Sequence, residues 1–309
     1  MRNGVMVRGG REKGIIALLS AAVFWGSSIV IARIFLRQIS PFVLSHLGAC
    51  VSAVAILLPL LIFKRQSLRL SPRDWWRFVL LGGVAFTVGG LFINIGIQRT
   101  SAATAATLQY LAPAFTLIYG WLLRTEDVDK WKVLAVLLTL AGAACTTGVV
   151  SGGFVFDPVG AAGSVGSAAT FAFITIFSKT FASRYNPIAF TGYTFAAMAV
   201  AYTLVSPIET LSVVKEMPRT VFLVAAYAVF LGVIPTILYF YAMKWVAPTA
   251  ATIVLSFEIV VTSVLGWLWL GERLSFLQIV GAIMVISAVI IIEQRRERSV
   301  GIEEGLPSS

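Results

Sequence analysis

The sequence predicts an all-α integral membrane protein, with ten transmembrane helices in two inverted five-helix repeats. Three observations lead there. Hydrophobic residues make up 58% of the 309 and charged residues only 12%, with a mean hydropathy of +0.90, whereas a soluble domain is about 25% charged. Apolar stretches of the roughly 20 residues needed to cross the hydrocarbon core recur along the whole chain. A phrase also repeats at an offset of 146 residues: Gly120-Trp121-Leu122 with Glu126, then Gly266-Trp267-Leu268 with Glu272.

Spans 1 to 10 are read at about 14–36, 41–63, 76–97, 101–123, 131–150, 158–180, 187–206, 220–243, 248–270 and 274–292. Span 1 follows Arg2, Arg8, Arg11 and Lys13. A secretory leader opens in the same way, but this apolar run exceeds about twenty residues and lacks a small-residue cleavage site, so it is kept as a span. Ser40-Pro41, Asp157-Pro158, Asn186-Pro187 and Ala247-Pro248 place proline at the first helical position of spans 2, 6, 7 and 9, where its missing N–H costs nothing. The connections are short, and none is long enough to fold as a separate soluble domain.

Spans 1–5, residues 14–150, form the first unit and spans 6–10, residues 158–292, the second, with 293–309 as a cytoplasmic tail. The same offset pairs Ser40-Pro41 with Asn186-Pro187. After a one-residue slip it pairs Thr104-Ala105-Ala106-Thr107 with Thr249-Ala250-Ala251-Thr252. Ungapped, 101–126 and 247–272 share Ala105, Thr116, Gly120, Trp121, Leu122 and Glu126. An odd number of spans per unit turns the second unit over relative to the first.

Basic residues set the orientation. With both termini inside, the inner segments hold Arg2, Arg8, Arg11, Lys13, Lys64, Arg65, Arg69, Arg73, Arg77, Arg124, Lys130, Lys132, Lys179, Arg184, Lys244, Arg295, Arg296 and Arg298. The outer segments hold only Arg37, Arg99, Lys215, Arg219 and Arg273. This asymmetry is a positive-inside signal that puts both termini in the cytoplasm, and a multi-pass protein of the inner (plasma) membrane is expected. It also explains the net charge of +10 without nucleic acid, because the charge is spread over every inner loop.

Other chemistries are excluded by what the chain contains. Cys50 and Cys145 are the two cysteines and His46 the single histidine, so neither a metal centre nor a disulfide framework is expected. The glycine-rich stretches do not form a phosphate loop or a dinucleotide fingerprint, and no cofactor is expected. An integral-membrane enzyme would need clustered ionisable residues at one membrane face, which the sequence lacks. A passive channel or a non-transporting assembly protein stays open.

The stretch 248–293, PTAATIVLSFEIVVTSVLGWLWLGERLSFLQIVGAIMVISAVIIIE, resembles the C-terminal half of an EamA domain of the drug/metabolite transporter superfamily. TSAATAATLQYLAPAFTLIYGWLLRTE resembles the same motif in a first domain, and Phe24-Trp25-Gly26-Ser27 its first-helix opening. The resemblance runs from about 15 to 293. It implies two inverted five-helix units around a central cavity and a secondary transporter working by alternating access, most simply an exporter of amino acids or related compounds. An uptake carrier or exchanger for a nucleotide-like, choline-like or organic-cation metabolite is the alternative. The partners it implies are a small-molecule substrate and membrane lipid, with proton or counter-substrate coupling and a monomer or homodimer. The family motif commonly reads Glu-Pro in the fourth helix of a unit. Here the first half has Ala112-Pro113 and the second Glu258-Ile259, so each keeps one element of the pair.

Polar groups inside spans mark the candidate site, because hydrocarbon makes them expensive. Of 14 acidic residues, Glu258 alone falls near the middle of a span. It is read either as a cavity carboxylate that binds a substrate ammonium or carries a proton, or as a protonated structural group bonded to a neighbouring helix. Trp25, Ser28, Asn94, Gln109, Tyr110 and Tyr239 complete the expected substrate-binding set. Ser and Thr are weaker signals, since they often bond only a carbonyl of their own helix.

Glu126 and Glu272 read as helix-start residues favoured by the dipole of the following helix, with a gate as the other reading. Arg33 reads as snorkelling to the outer headgroups or as a clamp for a substrate carboxylate, and His46 as an interfacial hydrogen-bonded residue or a cavity group. Spans 5 and 10, almost wholly aliphatic, are expected to face lipid or a partner subunit. Gly82-Gly83, Gly89-Gly90, Gly232 and Pro235 loosen the equivalent spans 3 and 8 and suggest motion there.

Overall fold

The structure, a computed structural model, describes residues 2–100, 102–151, 157–205, 207–270 and 275–304; the side chains of 2–9, 33, 98, 102, 103, 151, 183, 270 and 295–304 lie outside that description. Every regular element among the described residues is helical. Among the described residues, eight helices are long and apolar enough to cross a membrane: Gly10–Ala32, Pro41–Phe63, Trp75–Ile97, Pro158–Phe181, Pro187–Val205, Pro218–Ala242, Pro248–Trp269 and Phe276–Gln294. They coincide with spans 1–3 and 6–10. Span 4 is two pieces, Ala102–Gln109 and Ala112–Leu122, and span 5 is the 17-residue helix Lys130–Thr146, about 25 Å long at 1.5 Å per residue.

The helix starts follow the sequence signals. Ser40 accepts from the Val43 N–H at 3.3 Å, Asp157 from Gly160 at 2.7 Å, and Asn186 from Ile188 at 2.9 Å, each just ahead of its proline. Asp129 accepts from Trp131 and Lys132 and starts span 5. The segment read as an outer loop, 207–219, contains a further helix, Ile208–Glu216, before Pro218 opens span 8. His46 holds that helix in place. Its two ring nitrogens lie 2.9 Å from the hydroxyls of Thr210 and Thr203, tying span 2 to span 7 and to the extra helix.

Helix pairing respects the repeat. Span 1 lies against spans 8 and 9, and span 6 against spans 3 and 4. Span 2 pairs with span 7, and span 5 with span 10. Exchanging each span for its equivalent in the other unit reproduces this pattern. Spans 5 and 10, expected from their aliphatic composition to face lipid or a partner subunit, turn one side toward each other. They pack on each other through small residues: a Cβ on Gly142 would stand 2.8 Å from the Gly281 carbonyl, and one on Gly281 2.6 Å from the Gly142 carbonyl. Ala135 and Ala288 are fully buried, and at an offset of 146 Ala135 corresponds to Gly281 and Gly142 to Ala288. Small side chains let helices approach closely in a bilayer. Leu137 and Ile283 stay outside the pair, exposed.

The helices are irregular where the sequence loosens them. Val79–Phe86 in span 3 and Ala228–Val233 in span 8 are π-helical, at equivalent places in the two units. Thr87 and Thr236 donate back to the carbonyls of Gly82 and Gly232 at 3.1 and 2.7 Å. Spans 4 and 9 are broken at Tyr110-Leu111 and Ser256-Phe257, at the offset of 146. Pro113 explains the first break, since it has no N–H for the Gln109 carbonyl. In span 9 the Phe257, Ile259 and Val260 N–H groups reach back only three residues, a tight turn that carries Glu258 at its end.

The end of the bundle where span 1 begins is closed by the main core. That core joins Leu18, Ala21 and Ala22 of span 1 to Phe181, Phe190, Tyr239, Phe240 and Met243 and to Ala250, Ala251, Ile253, Val254 and Leu255 of the segment Pro248–Leu255, whose eight residues are all buried. Arg11 and Glu293 pair there at 3.0 Å. Glu126 caps a helix, but not the one that follows it: its Oε1 accepts from the Thr249 N–H at 3.0 Å, at the start of span 9, while Oε2 meets Lys132 at 3.1 Å. The first unit thus holds the second by a carboxylate on a helix N-terminus, where the dipole favours it. Glu272, its repeat partner, and the side chain of Arg33 lie outside the described residues.

Candidate functional site

A cavity of about 190 Å³ lies where the two broken spans meet spans 1 and 6. Span 4 contributes Gln109 and Tyr110 before its break and Ala112-Pro113 after it. Span 9 contributes Thr252, Leu255, Ser256 and Glu258, span 1 contributes Trp25, and span 6 contributes Phe171. The breaks place these groups. Because the helix stops and restarts, residues on either side of Tyr110-Leu111 and Ser256-Phe257 turn toward the same space, as in other membrane proteins whose discontinuous helices line a site.

Four of the seven expected site residues line the cavity: Trp25, Gln109, Tyr110 and Glu258. The Tyr110 hydroxyl donates to Glu258 Oε1 at 2.9 Å and links the two units across their breaks. Gln109 Nε2 donates to Ser167 Oγ on span 6 at 3.4 Å. Tyr239 sits one layer behind, fully buried. Its ring lies 5.8 Å from Trp25 and stacks on Phe171 at 6.2 Å, and its hydroxyl donates to Thr175 at 3.0 Å. It fixes the two aromatic walls rather than touching the space.

Ser28 and Asn94 are not among the lining residues. The Ser28 hydroxyl donates to the Trp25 carbonyl at 2.7 Å, one turn back on its own helix. Asn94 is half-buried on span 3. Phe171, Thr252 and Leu255 were not singled out in the sequence, because an aromatic, a threonine or a leucine in a membrane helix carries no signal of its own.

Span 1 touches span 9 at this level through Gly26. A Cβ there would stand 2.7 Å from the Glu258 carbonyl and 2.9 Å from Val261 Cβ. Thr262 fastens the contact, donating toward the Gly26 carbonyl at 3.1 Å and the Glu258 carbonyl at 2.9 Å. Only glycine allows this approach, which sets the depth of Glu258 beside Trp25.

The polar atoms of the cavity mostly accept. The Ser256 hydroxyl donates to the Thr252 carbonyl at 2.9 Å and the Thr252 hydroxyl to the Thr249 carbonyl at 3.0 Å, so each has its proton committed and only lone pairs left to offer. Glu258 is the only carboxylate, and the described lining contains no Lys, Arg or His. Among the described residues no group of three His, Cys, Asp or Glu side chains is arranged to hold a metal ion.

The model of the EamA-like transporter family matches this chain twice, over residues 12–148 and 159–294. An "Uncharacterized transporter" of Archaeoglobus fulgidus is 24% identical over 286 residues, 91% of this chain and 99% of the relative. The "Uncharacterized transporter YdfC" of Bacillus subtilis is 22% identical over 90% of this chain and 91% of its own length. The "S-adenosylmethionine/S-adenosylhomocysteine transporter" of Chlamydia trachomatis is 29% identical over 126 residues, 41% of this chain and 38% of its own. A solved crystal structure, 17% identical, superposes with a TM-score of 0.76 over 93% of this chain and 98% of the other, a likeness of fold.

Proposed function

We propose, from the premise that the chain belongs to the EamA-like transporter family, that it is a secondary transporter whose cavity carries small metabolites bearing a basic nitrogen on an apolar body. Amino acids and related compounds fall in that class. The observation that carries the reading is the meeting of Tyr110 and Glu258 across the breaks of spans 4 and 9, in a cavity walled by Trp25 and Phe171. An intramembrane carboxylate is by default a functional group. The aromatic faces beside it attract a cation further. S-adenosylmethionine, named for the Chlamydia relative, also bears an amino group.

The two units are residues 14–150 and 158–292, with 293–309 as a tail. Both termini are cytoplasmic, following the basic asymmetry of the loops, and the membrane is the inner one. The direction is export. Alternating access follows from exchange of the two inverted units around the cavity, with a proton on Glu258 or a counter-substrate supplying the energy.

The test is counterflow in proteoliposomes: purified protein, an internal pool of unlabelled amine or amino acid, and the same compound labelled outside. Saturable, protein-dependent accumulation is expected for at least one compound with a basic nitrogen. Uptake that never saturates would mean a channel, and no exchange by any such compound would overturn the reading.

A further inference from the structure

We propose that the cavity selects monocationic amines and discriminates against the same apolar body carried as a zwitterionic amino acid. The proposal rests on the carrier site described above and narrows its substrate. A substrate ammonium brings three donors and a positive charge. The cavity offers it the Glu258 carboxylate, lone pairs of Ser256 and Thr252, and the faces of Trp25 and Phe171.

A substrate carboxylate meets the opposite. No cationic side chain is among the described lining residues. The Tyr110 proton is committed to Glu258, one Gln109 amide proton to Ser167, and the Ser256 and Thr252 protons to their own helix. The Trp25 indole N–H and the second Gln109 proton are the side-chain donors left on the described lining; beside them stand only the neutral backbone N–H groups of Ala112 and Glu258, where the two helices restart. Burying a carboxylate without a cationic partner is costly, and Glu258 in the same small space adds repulsion between like charges. Removing the substrate carboxylate removes both penalties and leaves the ammonium contacts intact.

The nearest cationic residue along span 1 is Arg33, eight residues beyond Trp25 and about 12 Å further along the helix axis. That separation is why it is not counted as a carboxylate partner, and the experiment includes it.

Binding of matched compounds to the purified full-length protein in nanodiscs tests the proposal, read by calorimetry or by Trp fluorescence. The probes are phenethylamine, L-phenylalanine methyl ester and L-phenylalanine, with isoamylamine and L-leucine as an aliphatic pair. The amines and the ester are expected to bind at least about tenfold more tightly than the amino acids, and Glu258→Gln should weaken them by a similar factor. This comparison needs only the native protein, so it stands even where a variant folds poorly.

Amino acids binding as well as their amines, still dependent on Glu258, would overturn the discrimination and leave the carrier site standing. Selective loss of amino-acid binding in Arg33→Gln would also overturn it, by identifying a carboxylate partner. Failure of both amines to bind would defeat it outright. Binding untouched by both Glu258→Gln and Trp25→Ala would remove the site itself, and the inference with it.

Discussion

Gly26→Ala should weaken substrate binding. The added Cβ would stand 2.7 Å from the Glu258 carbonyl and 2.9 Å from Val261 Cβ. Neither neighbour can swing aside, since one is backbone and the other a branched carbon on the same helix. Ordinary contact begins near 3.4 Å, so spans 1 and 9 must separate by about 0.7 Å at this level. Overpacking of this kind costs about 1–3 kcal/mol. It falls where Thr262 ties the two helices and where Tyr110 reaches Glu258 at 2.9 Å.

A carboxylate displaced by that much no longer meets the substrate ammonium, and the loss of one charged hydrogen bond of about 1.5–3 kcal/mol is about 10- to 150-fold in affinity. The assay is amine binding by fluorescence quenching, run beside thermal unfolding in the same detergent. Gly48→Ala is the control: its Cβ would find only Ala228 Cβ, at 4.0 Å, and alanine is the better helix former by about 1 kcal/mol. Gly48→Ala should bind normally and unfold no earlier than the native protein. A Gly26→Ala protein that binds as tightly as Gly48→Ala would refute the claim that this contact sets the position of Glu258.

Three further outcomes follow from the packing and the charge. Ala135→Trp, at a fully buried position between spans 5 and 10, should abolish a monodisperse peak in size exclusion, whereas Leu137→Trp, 57% exposed, should keep it. Glu126→Gln should lower the unfolding midpoint through loss of its ion pair and its charged cap on span 9, about 1–3 kcal/mol, while Asp127→Asn next to it, exposed, should not. In a background with Cys50 and Cys145 replaced, Gln66→Cys should react with an impermeant thiol reagent only from the cytoplasm and Glu216→Cys only from outside. Labelling from the same side would contradict the proposed orientation.

Much of the fold is legible because hydrocarbon imposes a simple rule. A span must be apolar for about 20 residues, and prolines mark the starts of Pro41–Phe63, Pro158–Phe181, Pro187–Val205 and Pro248–Leu255. The break at Tyr110-Leu111 can be read from Pro113. The matching break at Ser256-Phe257 has no proline, and only the repeat offset points to it. Composition did not reveal that spans 5 and 10 pair, since an aliphatic helix looks the same to lipid as to a partner helix. The small residues Ala135, Gly142, Gly281 and Ala288 carried the missing information.

In the site, polarity picked out Glu258, Gln109 and Tyr110 because a polar group in a span needs a reason. Polarity alone does not give direction. The Ser28 hydroxyl is satisfied by the Trp25 carbonyl, and Asn94 projects from a span that does not line the cavity. Glu126 shows the same limit at a helix end. Its charge suits a helix N-terminus, but tertiary structure decides that the helix belongs to the other unit.

The central claim is that Glu258 is the working carboxylate of the carrier. Glu258→Gln tests it most directly, because Gln is nearly isosteric and still accepts from Tyr110 while losing the charge. Exchange of labelled phenethylamine should be measured in proteoliposomes over a range of pH, with the native protein alongside and equal protein recovered in the folded peak. The account predicts loss of exchange by at least about tenfold and a flat pH profile in whatever activity remains. Exchange at the native rate with an unchanged pH profile would contradict it.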